Sequence, residues 1–104
     1  MSEKQMQKLV MADDLMPSVL DGTKRITIRN GHRDIVEGDC EIVNVSQTQR
    51  TVVRVNSVLK TLAGEISLKD LKSDGFRNRK HFIEGMRRFY PDFAPENPAT
   101  VIKW

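Results

Sequence analysis

The sequence predicts a small α+β domain, built as a β-barrel of about five or six strands with helices packed over one side and one end. Short β-branched runs are spread along the whole chain, and the helical patterns are short and concentrated in its second half. A length of 104 residues leaves room for one modest core. We therefore expect a single domain over residues 1–104, with elements in the order β-α-β-β-β-α-α-β.

The first three elements are predicted from short local patterns. Residues 8–11 form an apolar run typical of a strand. A short helix is expected over residues 13–20, with Asp13 and Asp14 at its N-terminus, where carboxylates meet unpaired N–H groups. The β-branched run at residues 26–28 then predicts a central strand.

This central strand carries the polar residues of greatest chemical interest. Successive side chains of a strand point to opposite faces. Ile26 and Ile28 are therefore expected in the core. The other face carries Arg25, Thr27 and Arg29. Lys24 lies at the entrance of the strand, where the turn after Gly22 could bring its side chain to the same place.

The middle of the chain predicts an exposed loop followed by two strands. Residues 30–39 are rich in Asn, Gly and Asp, which favour turns. The apolar runs at residues 40–45 and 51–59 predict strands joined by a polar hairpin turn. In the second strand the parity of the apolar residues shifts at residues 56–57, which indicates a β-bulge.

Two helices and a last strand are predicted in the second half. Ser67 and Asp70 have the spacing of a capping box, and Gly75 ends the helix that they open. Asn78 opens the next helix, and Pro91 stops it.

One face of the second helix is expected to pack in the core. It consists of Phe82, Met86, Phe89 and Tyr90. Residues 99–104 form the closing strand, whose terminal tryptophan is interpreted as a packing residue.

Composition argues against several classes of protein. Cys40, the one cysteine of the chain, lies in an apolar run and is interpreted as a buried side chain. The cysteine and the two histidines are widely spaced, so no zinc site is predicted, and no Gly-rich phosphate loop is present. We expect no metal and no cofactor.

The same composition indicates the surroundings in which the chain works. No apolar stretch is long enough to span a membrane, and the first residues lack the apolar core of a signal peptide. We expect a cytoplasmic protein with no membrane partner, and a monomer by default. A net charge of +3 favours an anionic partner without requiring one.

A basic stretch at residues 69–88 has two interpretations. It contains seven Lys and Arg residues against three Asp and Glu. As a functional surface it would contact RNA phosphates through Arg77, Arg79, Lys80 and Arg87. As a purely structural feature it is the solvated side of an amphipathic helix, supported by ion pairs among the residues at 80, 84 and 88.

With these elements placed, the chain resembles the ASCH-domain family of small PUA-like barrels. The resemblance covers nearly the whole chain and lies in four segments: Gly22-x-Lys24-x-x-Thr27-x-Arg29, Glu37-Gly38-Asp39, Asp74-Gly75-Phe76 and Tyr90-Pro91. Within that family, length and layout are most similar to the small bacterial N4-acetylcytidine amidohydrolases. The resemblance thus implies a metal-independent hydrolase that removes the acetyl group of this modified nucleoside.

The resemblance also implies roles for individual residues. Lys24 and Thr27 match catalytic positions of that family. The third catalytic group is a carboxylate, which is Glu in the family and for which Asp74 is the best candidate here. Arg29, with a guanidinium suited to a carbonyl or a phosphate, and Arg25 are expected to bind the substrate, a modified nucleoside or RNA. The alternative function is a non-catalytic module that binds RNA or a nucleotide.

Two assignments of the general base remain open on chemical grounds. A threonine hydroxyl is a poor nucleophile unless a neighbouring group takes its proton. Lys24 can do so only as a neutral amine. If Asp74 holds Lys24 as a cation, the ammonium stabilises the oxyanion and Asp74 is the base.

Overall fold

The computed structural model describes residues 6–104 of the chain. These residues contain six strands and three α-helices. The strands are β1 (Gln7–Met11), β2 (Ile26–Asn30), β3 (Gly38–Asn44), β4 (Arg50–Val55), β5 (Ser57–Leu62) and β6 (Pro98–Lys103). The helices are α1 (Met16–Leu20), α2 (Leu68–Ser73) and α3 (Arg79–Arg87), and a 3-10 turn spans Ala63–Glu65.

The strands form two three-stranded sheets. The first has the order β1-β3-β4, with β1 parallel to β3, and the second has the antiparallel order β2-β6-β5. The predicted small α+β class with about six strands and short helices is therefore confirmed. Strand pairing within residues 6–104 does not join the two sheets into one closed ring.

The strand predicted over residues 51–59 is instead two strands in different sheets. β4 pairs with β3, and β5 pairs with β6. Asn56 lies between them, and its backbone N–H donates to Lys103 O at 2.9 Å. The parity shift in the sequence thus marks the corner at which the chain changes sheets, rather than a bulge within one strand.

β6 contributes side chains to two hydrophobic clusters, because successive residues of a strand point to opposite faces. Val101 contributes to a cluster with Phe82 and Phe93, which lies under α2 and α3. Ile102 contributes to a second cluster with Met16. Cys40 belongs to this second cluster and is fully buried, as predicted.

The prediction that two aspartates begin the first helix is wrong. α1 starts at Met16, after a turn, and has no acidic residue in its first turn. Asp13 instead accepts a hydrogen bond from Ser46 N at 3.0 Å, through Oδ1. A contact with a distant hairpin therefore replaces the local cap, and local sequence patterns do not report such contacts.

The predicted N-caps of α2 and α3 are confirmed, but the capping box of α2 is only half formed, because the Asp70 carboxylate pairs with Lys103. The predicted core face of α3 is partly wrong. Ser67 Oγ accepts from Asp70 N at 3.1 Å, and Asn78 Oδ1 accepts from His81 N at 2.8 Å. α3 ends at Arg87, three residues earlier than expected, and Phe89 beyond it is 77% exposed.

The chain after α3 explains the exposure of Phe89. Phe93 is fully buried against Phe82, with ring centroids 5.6 Å apart. Arg87 Nε donates to Phe93 O at 2.8 Å and holds this segment against the end of the helix. Phe93 thus fills the place in the core for which Phe89 was predicted.

None of the helices within residues 6–104 has the length and apolar character needed to cross a membrane.

Thr100, a buried residue of β6, holds the loop after β2, and its substitution tests this role. Thr100 Oγ1 donates to Gly31 O at 2.7 Å and accepts from Arg33 N at 2.9 Å. Thr100→Val keeps the shape and removes both bonds, so we expect a loss of about 1–3 kcal/mol in the free energy of unfolding, measured by urea denaturation. Thr51→Val on β4 is the matched control, and equal losses in the two variants would contradict the prediction.

Candidate active site

A cavity of about 300 Å³ lies between the β1–α1 segment, β2 and the helices of the second half. Its polar lining includes Lys24, Thr27, Arg29 and Asp74. The three residues predicted to be catalytic and one of the two predicted to bind substrate therefore share one cavity. Asp74 is the one carboxylate among the described residues that line it.

β2 places Thr27 and Arg29 side by side, because residues two apart on a strand share a face. Arg29 Nε donates to Thr27 Oγ1 at 3.1 Å. β2 is an edge strand of its sheet and pairs only with β6 in the described chain. The cavity covers the face that carries Thr27, and this residue is 5% exposed.

Lys24 reaches the cavity from the turn that precedes β2. Gly22 adopts a φ of +84°, which favours glycine, and the backbone N–H of Lys24 donates to Ser18 O at 2.9 Å. The Lys24 ammonium pairs directly with the Asp74 carboxylate, and the two side chains are only 10% and 9% exposed. This position agrees with the expectation that the turn redirects the lysine.

Asp74 lies immediately after α2, as its C-cap residue. Gly75 follows at a φ of +95°, which turns the chain sharply at the helix end. Asp74 Oδ1 contacts the Lys24 ammonium, and Oδ2 accepts from the backbone N–H of Ile28 at 3.3 Å. The carboxylate thus joins the end of α2 to the open edge of β2, a partnership that the sequence does not reveal because the donor belongs to the backbone.

Burial dominates the electrostatics of the cavity. It raises the pKa of Asp74 above the ordinary value of 3.8, although Lys24, the Ile28 N–H and Arg29 act in the opposite direction. Burial, together with the Arg33 cation, lowers the pKa of Arg29 below its ordinary value. A carboxylate with a raised pKa is a stronger base than an exposed aspartate.

The threonine hydroxyl is not hydrogen-bonded to either candidate base. Within residues 6–104, Thr27 Oγ1 accepts from Arg29 and makes no hydrogen bond with Lys24 or Asp74. Catalytic hydrogen bonds are often long in the absence of substrate and shorten in the complex. A reaction that uses the Thr27 hydroxyl would therefore need a bound ligand or a side-chain rotation to bring these groups together.

Exposed apolar side chains form the walls of the same cavity. Val10 and Leu15 lie on the side of β1 and α1, and Phe89 and Tyr90 lie on the side of α3. Exposed apolar groups that gather at one cavity mark a ligand surface. The sequence reasoning missed this wall, because the helical spacing of Phe89 and Tyr90 indicated a core face.

Arg25 does not line this cavity. β2 begins at Ile26, so the strand alternation that places Thr27 and Arg29 together does not extend to residue 25. Arg25 Nε donates to Gly22 O at 3.1 Å, and its side chain lines a separate cavity beside Trp104. The predicted common face of residues 25, 27 and 29 is therefore wrong for residue 25.

The three arginines and the lysine that were predicted to contact RNA fall into two groups. Arg79 donates from both terminal nitrogens to the carbonyls of Ala63 and Ile66, at 3.0 and 2.6 Å, and Arg87 holds the backbone at Phe93. Arg77 and Lys80 are exposed. The fold itself uses Arg79 and Arg87, and RNA binding by any of the four stays a prediction.

The polar groups at the cavity include an ammonium, a hydroxyl, a guanidinium and a carboxylate, together with the Asn30 amide and the Tyr90 phenol. No three His, Cys, Asp or Glu side chains of the described chain lie close enough together to hold a metal ion.

The fold formed by these elements is similar to that of an ASCH domain. The structure is similar to the crystal structure of an ASCH domain from Lactobacillus crispatus JV V101, with a TM-score of 0.71. The match covers 93% of this chain and 77% of that one, at 13% sequence identity, and therefore shows the fold alone. No protein-family model and no curated protein matches the chain.

The raised pKa of Asp74 predicts a pH dependence of stability. The folded protein holds the Asp74 proton more tightly than the unfolded chain does. Protonation of Asp74 therefore stabilises the fold at pH values below the ordinary pKa of 3.8, and this stabilisation is lost as pH rises through the pKa of the folded protein. Urea unfolding from about pH 3 to about pH 7 should show the native protein losing stability relative to Asp74→Asn. A difference that is constant, or that changes in the native protein's favour, would contradict this.

Proposed function

We propose that the protein is a metal-independent amidohydrolase that removes the acetyl group from N4-acetylcytidine or a related acylated nucleoside. The observation that carries the proposal is the convergence of Lys24, Thr27, Arg29 and Asp74 at one cavity with apolar walls. The resemblance to the small amidohydrolases adds the substrate class. The ASCH fold is compatible with this function but does not by itself imply it.

The lining of the cavity supports a planar heterocycle as ligand, because it combines aromatic side chains with polar groups. Nucleobases present two apolar faces and a polar edge, and proteins hold them by stacking on aromatic side chains. In the proposed complex the base lies between Phe89 and Tyr90 on one side and Leu15 on the other. Its exocyclic amide then points to the polar groups of β2 and α2.

The proposed reaction proceeds through an acyl-enzyme. Thr27 Oγ attacks the amide carbonyl carbon and gives its proton to Asp74, while the carbonyl oxygen becomes an oxyanion. The C–N4 bond then breaks, Asp74 returns the proton to the nitrogen, and cytidine leaves. In the second half, Asp74 takes a proton from a water molecule whose oxygen attacks the carbonyl carbon of the threonine ester. The bond between this carbon and Thr27 Oγ breaks, Asp74 returns the proton to Oγ, and acetic acid leaves and loses its proton to solvent as acetate.

The ion pair supports one of the two assignments of the base. Lys24 contacts a carboxylate directly, which favours its role as a cation that stabilises the oxyanion. Arg29 is the second cation at the cavity and its guanidinium is suited to hold the carbonyl oxygen. Asp74, with its raised pKa, is left as the base.

The aspartate at position 74 is compatible with this role although the resembling family carries Glu. Asp is one methylene shorter, and misplacement by ~1 Å can cost ~100-fold in rate. Here the carboxylate reaches both Lys24 and the backbone of β2 from the end of α2. The shorter side chain therefore reaches Lys24 and β2, and in the proposed reaction the bound substrate brings it to Thr27.

A second candidate function is RNA binding without catalysis. The ion pairs expected among Lys80, Glu84 and Arg88 are not formed within the described chain, and the two cations are exposed together with Arg77. These charges are therefore free to meet phosphates.

Turnover tests the catalytic assignments directly. Incubation with N4-acetylcytidine, followed by chromatography of cytidine, should show a loss of about 100-fold or more for Thr27→Ala, Lys24→Met and Asp74→Asn, because each removes a group used in the transition state. Thr51→Ala and Lys60→Met are matched controls outside the cavity and should keep native rates. Native turnover by Thr27→Ala would end the role of Thr27 as nucleophile.

The aromatic wall predicts a separation between binding and chemistry. Stacking on an aromatic side chain contributes roughly 1–3 kcal/mol per base, so Phe89→Ala should raise KM about ten-fold and change kcat little. Phe89→Trp keeps the stacking surface and should restore KM. An unchanged KM in Phe89→Ala would remove this residue from the substrate site.

RNA affinity distinguishes the two candidate functions. Replacing Arg77, Lys80 and Arg88 together with Gln should weaken binding of a structured RNA and flatten its salt dependence, because phosphate contacts release counterions. Lys24→Met should leave that affinity unchanged. Absence of salt-dependent RNA binding in the native protein would eliminate the second candidate.

A further inference from the structure

We infer that the protein has a second ligand site, for a phosphorylated nucleoside, in a cavity of about 500 Å³ beside Trp104. This cavity lies between the start of β2, the end of β6 and α2. None of its described lining residues lines the candidate active site. The residues that carry the inference are Arg25, Asn56, Lys69, Asp70, Lys103 and Trp104.

The charges of this cavity favour an anion. Arg25, Lys69 and Lys103 line it, and Asp70 is the one acidic side chain among its described lining residues. Asp70 is 8% exposed and is already paired with the Lys103 ammonium at 2.8 Å. Arg25 and Lys69 have no carboxylate partner within residues 6–104, so two positive charges are left for a ligand.

The arginine is oriented in a way that suits phosphate. Its Nε donates to Gly22 O at 3.1 Å, which fixes the guanidinium and leaves both terminal nitrogens for a ligand. Paired N–H groups of arginine match the geometry of phosphate oxygens. The Asn56 amide and the Ser73 hydroxyl line the same cavity and supply further donors.

The tryptophan adds a surface for a planar ring. Trp104 is half-buried, packs against the second hydrophobic cluster and still lines the cavity. The backbone N–H of Trp104 donates to Arg25 O at 3.0 Å, so the two residues lie opposite each other on neighbouring segments of the chain. Nucleobases stack on such surfaces. A phosphate clamp next to an aromatic plane therefore points to a nucleotide rather than to phosphate alone.

The fluorescence of Trp104 reports on this site, because it is the one tryptophan of the sequence. We expect titration with cytidine 5′-monophosphate to change this fluorescence, and the Kd to rise with added KCl. Arg25→Gln combined with Lys69→Gln should raise the Kd at least about ten-fold, because charge-assisted hydrogen bonds are lost. Both residues are exposed, and urea unfolding verifies that the variant remains folded.

A matched variant and three further ligands make the outcome decisive. Lys60→Gln combined with Lys72→Gln removes the same charge away from both cavities and should keep the native Kd. Cytidine and inorganic phosphate should each bind more weakly than the nucleotide. A single-stranded oligoribonucleotide that competes through Arg25 and Lys69 identifies an RNA strand as the source of the phosphate, and failure to compete identifies a free nucleotide.

Two results would overturn the inference. One is an equal Kd in the two double variants, and the other is the absence of nucleotide binding to the native protein by fluorescence and calorimetry. The measurement involves no turnover, so its result is independent of the proposed hydrolysis.

Discussion

The ion pair between Lys24 and Asp74 is the contact on which the candidate active site depends. Both side chains are about nine-tenths buried, and removing two charges from water is costly unless their remaining hydrogen-bonding capacity is used. Asp74 meets this condition by accepting the N–H of Ile28 as well. Apolar residues of similar size often stabilise a fold as well as such a pair does. Both charges line the cavity, so we interpret the pair as part of the proposed catalytic site rather than as a source of stability.

The edge position of β2 makes this arrangement possible. One side of the strand pairs with β6, which leaves the N–H of Ile28 for the carboxylate at the end of α2. The strand then presents Thr27 and Arg29 to the same cavity. In a central strand the N–H of Ile28 would donate to a neighbouring strand and would not be available to the Asp74 carboxylate.

Two adjacent residues, Lys24 and Arg25, serve different cavities. The lysine turns to the candidate active site, and the arginine faces Trp104 on the other side of the segment that enters β2. The two cavities also differ in lining, because exposed apolar side chains surround the first and cationic and polar groups surround the second. One short stretch of chain thus supplies groups suited to an amide in one place and to a phosphate in the other.

The sequence by itself determined the features that depend on neighbouring residues. These are the strand at residues 26–28, the caps at Ser67 and Asn78, and the burial of Cys40. Only the tertiary structure decided the sheet change at Asn56 and the exposure of Phe89. The physical reason is that burial and backbone pairing depend on which distant segment packs at a given place, as Phe93 does against Phe82, and periodicity within one segment carries no information about that segment.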